Sequence, residues 1–147
     1  SRMTDIIFEF DGTLDKYIGD ALMAVFGAPM EKKGDEERAI RAALKMRHEL
    51  AIMMENTSAE NRFDVRIGIN TGRVVAGNIG SPRRLDYTVI GDPVNIAQRL
   101  ESIAQPNQIL IGQETYNHVK GKFKIEMIGE KRVKGKTKEI MAYAVLS

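Results

Sequence analysis

The chain has 147 residues, 43% of them hydrophobic and 29% charged, which allows one hydrophobic core of ordinary composition. It lacks cysteine, which excludes disulfides, thiolate metal sites and thiol redox chemistry. The net charge of +2 is too small to indicate nucleic-acid binding, although basic residues concentrate between Lys120 and Lys138. No apolar run approaches the roughly 20 residues of a membrane span. We therefore expect one domain over residues 1–147, without a membrane segment. We expect this domain in the cytoplasm, whether or not the full-length protein is tethered to a membrane.

The first ten residues suit two structures. Met3, Ile6, Ile7 and Phe10 have the i, i+3, i+4, i+7 spacing of a helix, but the run Ile6 to Phe8 also suits a short strand.

Two short apolar runs, Leu14 to Ile18 and Leu22 to Phe26, flank Gly19-Asp20 and predict a β-hairpin. The second run is apolar on both faces, which is typical of a strand covered on both sides. Asp20 at the tip suits ordinary turn chemistry, and Lys16 suits a solvated strand position.

The middle of the chain predicts a long helix and two strands. Asp35 is placed to cap the helix, whose apolar face we expect to be formed by the following side chains: Ile40, Ala43, Leu44, Leu50, Ala51 and Met54. Alternating residues from Phe63 to Ile69 predict a strand, and after the turn Thr71-Gly72 a second strand begins at Val74. Arg73 follows this turn, where a surface arginine is ordinary.

The stretch LDYTVIGDPVNIAQRL, from Leu85 to Leu100, combines a strand with an abrupt helix start. Asp92 suits the N-cap and Pro93 the first helical position. A buried stripe is expected from these residues: Ile96, Ala97, Leu100, Ile103 and Ala104. Asn95 and Arg99 lie one turn apart on the other face of the helix. This face is either an ordinary solvated surface or a site for an anionic, oxygen-rich ligand.

The remainder predicts three strands and a short helix. In order these are Gln108 to Ile111, the helix Thr115 to Val119, Phe123 to Met127 and, after the basic turn Lys134-Gly135-Lys136, Ile140 to Leu146. The mixed order indicates an α/β (α+β) sandwich with a single mixed, largely antiparallel sheet flanked by helices.

The stretch from Leu85 to Leu100 resembles the class III adenylyl/guanylyl cyclase catalytic domain. Four further segments match in the same order: DKYIGDALMAVFGAP, RIGINTGRVVAGNIG, PNQILIG and RVKGK. Together they cover most of the chain from about Gly12 onward. The resemblance implies a ferredoxin-like cyclase fold and makes the first residues the end of a helix.

The resemblance also implies how the residues of a cyclase site are used. Asp20 would be one of two carboxylates that bind Mg²⁺ or Mn²⁺, Asn95 would orient the ribose, and Arg99 would stabilise charge on the α-phosphate. Lys134 would bind the β- and γ-phosphates, with Arg73 as a further candidate phosphate ligand.

Base preference follows from the positions that the family uses to recognise the base. Lys16 only donates hydrogen bonds, so it suits the N1 acceptor of adenine and opposes the N1 donor of guanine, where guanylyl cyclases usually carry glutamate. Thr88 occupies the partner position, seven residues before Asn95, where many adenylyl cyclases have aspartate. Threonine at this position is similar to a subgroup of bacterial-type adenylyl cyclases, so ATP is the expected substrate.

Family members work as head-to-tail dimers, with metal ligands from one chain and base, ribose and transition-state residues from the other. Both sets occur here, so a homodimer with two sites is expected. The first metal aspartate of the family lies on a strand with a pattern like DIxGFT, ahead of a long helix, and this pattern is absent. We therefore expect an N-terminally shortened domain that lacks its first strand and helix, with one metal carboxylate missing and impaired activity.

Two alternatives remain. One is a catalytically inactive nucleotide-binding or regulatory module. The other is remote: IIFEFDGTLD resembles the first motif of haloacid dehalogenase-like phosphatases, with Asp11 as general acid–base and Glu9 at the nucleophile position. The extra methylene of glutamate would displace the attacking oxygen by about an ångström, enough to cost on the order of a hundredfold in rate.

Overall fold

A computed structural model describes residues 2–28, 30–78, 87–132 and 139–147. The helices within these ranges are α1 (Arg2–Glu9), α2 (Asp35–Glu55), α3 (Asp92–Ile103) and α4 (Gln113–Val119), with a 3-10 turn at Ala59–Asn61. The strands are β1 (Thr13–Ile18), β2 (Ala21–Val25), β3 (Ile67–Ile69), β4 (Val75–Asn78), β5 (Tyr87–Ile90), β6 (Ile109–Ile111), β7 (Ile125–Arg132) and β8 (Glu139–Val145). The predicted α+β class with mixed strand pairing is confirmed.

The described strands form three hydrogen-bonded groups rather than one continuous sheet. Strands β3, β6, β8 and β7 form a four-stranded sheet in that order, in which β3 and β6 are parallel and the other pairs antiparallel. The hairpin β1–β2 and the pair β4–β5 are two-stranded and antiparallel. One edge each of β2 and β3 has no strand partner among the described residues.

The core lies on both faces of the four-stranded sheet because alternate residues of β6 and β8 point to opposite sides. One face packs against α2 and α4 through the following buried side chains: Ile40, Ala43, Ile109, Ile111, Val119, Tyr143 and Val145. The other face packs against α3 through these: Leu100, Ala104, Leu110, Ile140, Ala142 and Ala144. The predicted stripe of α3 is therefore confirmed, and its opposite face is turned away from the sheet.

The first residues form a helix, as the cyclase resemblance implied. Ile6 and Ile7 are fully buried, and helix α1 packs against α2 and β1. The phosphatase interpretation is wrong because it requires a strand to deliver residue 9. Glu9 instead ends α1, with its carboxylate 2.6 Å from the Lys45 ammonium, and Asp11 lies in the following turn.

Helix α2 begins as predicted at Asp35, although Gly34 takes the cap position. The largely buried Asp35 carboxylate accepts a hydrogen bond from the Lys32 backbone N–H at 2.8 Å and pairs with Arg38. It thereby ties the segment after β2 to the helix start. Strand β2 itself is half-buried with Ala21 exposed, so it is not covered on both sides as its composition predicted.

The predicted strand from Phe63 to Ile69 is regular only at β3. Phe63 is exposed, and Val65 is held by the distant Asn107, which donates its backbone N–H to the Val65 carbonyl at 2.7 Å. The Asn107 side-chain oxygen accepts from the Val65 N–H at 3.1 Å. Residues 62–66 therefore run irregularly because a side chain satisfies part of their backbone. Within the described ranges, no helix is long and apolar enough to span a membrane.

Candidate functional site

The hairpin carries two of the predicted site residues. Asp20 lies in the turn between β1 and β2, and Lys16 lies within β1; both are exposed. Strand β1 lies against β5, which carries Thr88. The fold thus brings together the strands of the two predicted base-recognising residues, although the side chain of Thr88 lies outside what the structure describes.

Helix α3 carries the predicted pair Asn95 and Arg99. Asn95 is exposed and Arg99 is half-buried, and the two lie one helical turn apart on the side of α3 away from Leu100. An amide and a guanidinium in this arrangement offer several hydrogen-bond donors to one ligand. Such a surface suits phosphate and sugar oxygens.

The start of α3 differs by one residue from the prediction. The N-cap is Gly91 rather than Asp92, and Asp92 is the first helical residue, where its charge favours the helix dipole. Gly91 has φ +152°, a backbone conformation that favours glycine. A β-carbon there would be in ordinary contact with the Arg73 carbonyl oxygen at 3.6 Å, so residues 73–74 lie beside the start of α3.

Asn70 fixes the same region from the β3 side. Its side-chain amide donates to the Pro93 carbonyl at 3.1 Å, and its side-chain oxygen lies against Gly112 at the start of α4. Arg73 follows on an exposed segment three residues later. The structure therefore brings Arg73, the first turn of α3 and the end of β3 together. The predicted phosphate ligand Lys134 lies outside the described residues.

Sequence reasoning missed Asp15. The carboxylate of this residue is buried within β1, and neither of its oxygens has a hydrogen-bond partner in the described structure. Its Oδ2 lies 3.8 Å from the Lys16 ammonium. The available signal was an aspartate inside a predicted strand, because this residue type is depleted in strands.

Asp20 is the predicted metal ligand, and its carboxylate is an oxygen donor of the type that Mg²⁺ and Mn²⁺ prefer. Asp20 is exposed in a turn, which leaves its carboxylate accessible to a hydrated cation. Across residues 2–28, 30–78, 87–132 and 139–147, no three His, Cys, Asp or Glu side chains converge as a complete metal site requires. A carboxylate oxygen fits a divalent cation, and a complete site would need further ligands beside Asp20.

Comparison with known proteins connects this geometry to a family. The profile of the adenylate and guanylate cyclase catalytic domain matches residues 1–147. An adenylate cyclase of Anabaena cylindrica is 36% identical over 154 residues, which cover 97% of this chain and 30% of that protein. This chain also matches an adenylate cyclase of Dictyostelium discoideum, of which it covers 7%. The chain therefore spans less than a third of the length of either curated relative.

Solved structures have the same fold. The adenylyl cyclase CyaB from P. aeruginosa superposes with a TM-score of 0.89 at 34% identity, covering 99% of this chain and 77% of that chain. The guanylate cyclase domain of RhGC from Catenaria anguillulae, solved in complex with GTP, gives a TM-score of 0.84 at 30% identity, covering 99% and 78%. Relatives of both nucleotide types thus share the fold. The chain belongs to the adenylate and guanylate cyclase catalytic domain family.

Proposed function

We propose that this chain is an adenylyl cyclase catalytic domain, which converts ATP to 3′,5′-cyclic AMP and pyrophosphate. The ribose 3′-oxygen gives its proton to solvent water and forms a bond to the α-phosphorus. The bond from that phosphorus to the oxygen bridging the α- and β-phosphates breaks, and this oxygen leaves with pyrophosphate. The observation that carries the proposal is the pair Asn95 and Arg99 on the outer side of α3, beside the segment of Arg73. Donors concentrated there suit a triphosphate and its ribose.

We assign adenine recognition to Lys16 and Thr88. The Lys16 ammonium donates to N1 of adenine and has no acceptor to offer the N1 proton or the 2-amino group of guanine. The Thr88 hydroxyl accepts from the exocyclic amine of adenine. Support comes from the contact between β1 and β5, the strands that carry these two residues.

We assign the sugar and phosphates to the cationic and amide side chains. Asn95 holds the ribose so that its 3′-oxygen lies in line with the leaving group. Arg99 stabilises the negative charge that grows on the α-phosphate oxygens, and its half-burial strengthens this interaction over one in bulk water. Lys134 and Arg73 are assigned to the remaining phosphate oxygens.

Asp20 would hold a divalent cation, which when bound lowers the negative charge of the triphosphate and favours departure of pyrophosphate. The second carboxylate of the family's two-metal site belongs to a DIxGFT-like strand, which the 147 residues do not contain. For that reason we propose slow turnover by these 147 residues alone. Two such chains would associate head to tail, so that Asp20 of one faces Asn95 and Arg99 of the other.

The test is conversion of ATP and GTP in the presence of Mn²⁺, with cyclic AMP and cyclic GMP quantified separately. Parallel measurements use a chain preceded by a DIxGFT-type strand and helix. We expect cyclic AMP as the main product, faster in the extended chain. Substitution of Asn95→Ala or Arg99→Ala should slow either chain by about 100-fold. Gln98→Ala, an exposed change on the same helix, should stay within about twofold of the parent.

A nucleotide-binding module without chemistry is the second candidate, favoured because no three His, Cys, Asp or Glu side chains converge as a metal site in the described part of the chain. It predicts ATP binding that weakens on Arg99→Ala but no cyclic product from either version. Cyclic GMP as the main product would instead overturn the assignment of Lys16 and Thr88.

A further inference from the structure

We propose that Asp15 is a positioning residue for Lys16: its buried carboxylate fixes the Lys16 ammonium and so sharpens the preference for adenine over guanine. This inference rests on the proposed function, because base selection has meaning only if the site takes a nucleotide. Its physical basis, the contact between the two side chains, is independent of catalysis and is tested separately below.

The contact arises from a β-bulge. Leu14 pairs with Ala24 and Lys16 with Met23, which are consecutive in β2, so Asp15 is an extra residue without a partner opposite. Adjacent side chains in a regular strand point to opposite faces. A bulge breaks this alternation and re-aims a side chain, often next to a functional site. Here the Asp15 carboxylate comes to lie 3.8 Å from the ammonium of its sequence neighbour.

Burial differs sharply between the two groups. The Asp15 side chain is 1% exposed, whereas that of Lys16 is 46% exposed. Neither oxygen of Asp15 accepts a hydrogen bond in the described structure. A buried carboxylate without hydrogen bonds is unfavourable for folding, and a single ion pair rarely compensates for its desolvation. Such a local conflict is expected where a residue serves the site rather than stability.

This difference in burial gives the pair its selectivity. The flexible lysine stem allows many ammonium positions, and a fixed negative charge at its side restricts them. An ammonium held in one place donates well to N1 of adenine. The carboxylate is shielded, so the donors of guanine cannot reach it, whereas an exposed acidic group at this place would accept them. Asp15 thus supplies charge to Lys16 without offering an acceptor to the base.

The experiment is a double-mutant cycle of Asp15→Asn and Lys16→Met. Values of kcat and KM for ATP and GTP are measured with Mn²⁺, together with Tm, in the more active of the two chain versions described above. Asp15→Asn should raise KM for ATP and lower the ATP-to-GTP ratio of kcat/KM, each by about tenfold. It should leave kcat within about twofold and Tm unchanged or higher, because asparagine has the same size without a buried charge. Combined with Lys16→Met, it should have no further effect.

Asp5→Asn is the matched control, an exposed aspartate on α1 whose change should leave selectivity unaltered. A merely structural Asp15 would give a lower Tm and slow ATP and GTP equally, which would overturn the proposal. Equal effects of Asp15→Asn with and without Lys16 would also overturn it, because Asp15 would then act independently of the lysine.

If the unsubstituted chain forms no cyclic nucleotide, the proposed function fails. The contact between Asp15 and Lys16 can then still be tested by amine labelling. Acylation of Lys16 is compared by mass spectrometry with that of the exposed Lys124 on the same chain. The contact shields the Lys16 amine, so Asp15→Asn should raise its relative labelling rate about threefold or more. An unchanged labelling rate would contradict the positioning role.

Discussion

At the scale of single residues, His118 links α4 to α2 through charge. Its Nδ1 lies 2.9 Å from the Glu114 backbone carbonyl oxygen and 4.0 Å from a carboxylate oxygen of Glu36. The hydrogen bond to the Glu114 carbonyl, and secondly the charge of Glu36, raise the pKa of His118 above its usual 6.5. The carboxylates of Glu114 and Glu31 act in the same direction. The protonated ring is therefore favoured in the folded state.

The sign of this shift predicts a pH-dependent stability. A raised folded pKa means that the contribution of His118 is fully present below the unfolded pKa and is lost as pH rises through the folded value. His118→Gln should therefore lower the urea midpoint near about pH 5.5 and leave it unchanged near about pH 8.5. The side chain is 48% exposed, so we expect a loss of about 0.5 kcal/mol or less. Equal losses at both pH values would contradict the charge linkage, and Glu36→Gln should shrink the pH-dependent part.

At the scale of secondary-structure elements, the packing of β3 against α3 decides where Asn95 and Arg99 lie. A β-carbon on Gly68 would run into the backbone of α3 at Ala97 and Glu101 and would lie 3.0 Å from the Leu100 β-carbon. Glycine thus lets the strand and the helix approach at backbone distance. The helix cannot keep this position if the glycine gains a side chain.

Gly68→Ala should consequently reduce the free energy of unfolding by about 1–3 kcal/mol, as measured by urea denaturation. It should also slow nucleotide turnover, because displacement of α3 moves the functional pair away from its ligand. Gly121→Asn is the control: nothing lies within 4 Å of a β-carbon there, and asparagine tolerates its φ of +87°. If both variants were equally stable, the close approach would have no energetic weight.

The elements that could be predicted from sequence are those whose periodicity reports burial. The apolar stripe that includes Leu100 and Ala104 predicted which face of α3 is buried, and the apolar run from Ile140 predicted strand β8. The bulge at Asp15 could not be predicted, because it depends on the register with β2. Residues 63–66 alternate as a strand does and were predicted as one, but their irregular path depends on Asn107, about 40 residues later in the chain, which leaves no local signal.

The candidate site likewise has features with a local sequence signal and features without one. Local pattern placed Asn95 and Arg99 on one face of a helix, which the structure has. The approach of Arg73 to Gly91 is tertiary and has no local signal. The roles of Lys16, Thr88, Asp20 and Lys134 came from the family resemblance and stay predictions.

At the scale of the whole molecule, the proposed site is divided between two surfaces of one chain. The hairpin presents Asp20 and helix α3 presents Asn95, and both side chains are exposed. In a head-to-tail dimer each site would take its metal carboxylate from one chain and its ribose amide from the other. This division can be tested by mixing impaired variants.

Asp20→Asn and Asn95→Ala chains should each be slowed about 100-fold, yet an equal mixture should recover about one quarter of the parent rate of cyclic AMP formation. Half of the dimers are then mixed, and each mixed dimer has one site in which the intact Asp20 faces the intact Asn95. The control is a mixture of Lys16→Met with Asn95→Ala, since both changes fall in the set contributed by the same chain and no intact site can form. Gel filtration confirms that the variants still dimerise. Recovery in both mixtures would contradict the head-to-tail arrangement, and so would recovery in neither mixture if the variants dimerise. Recovery in the first mixture alone follows only if each site is built from both chains.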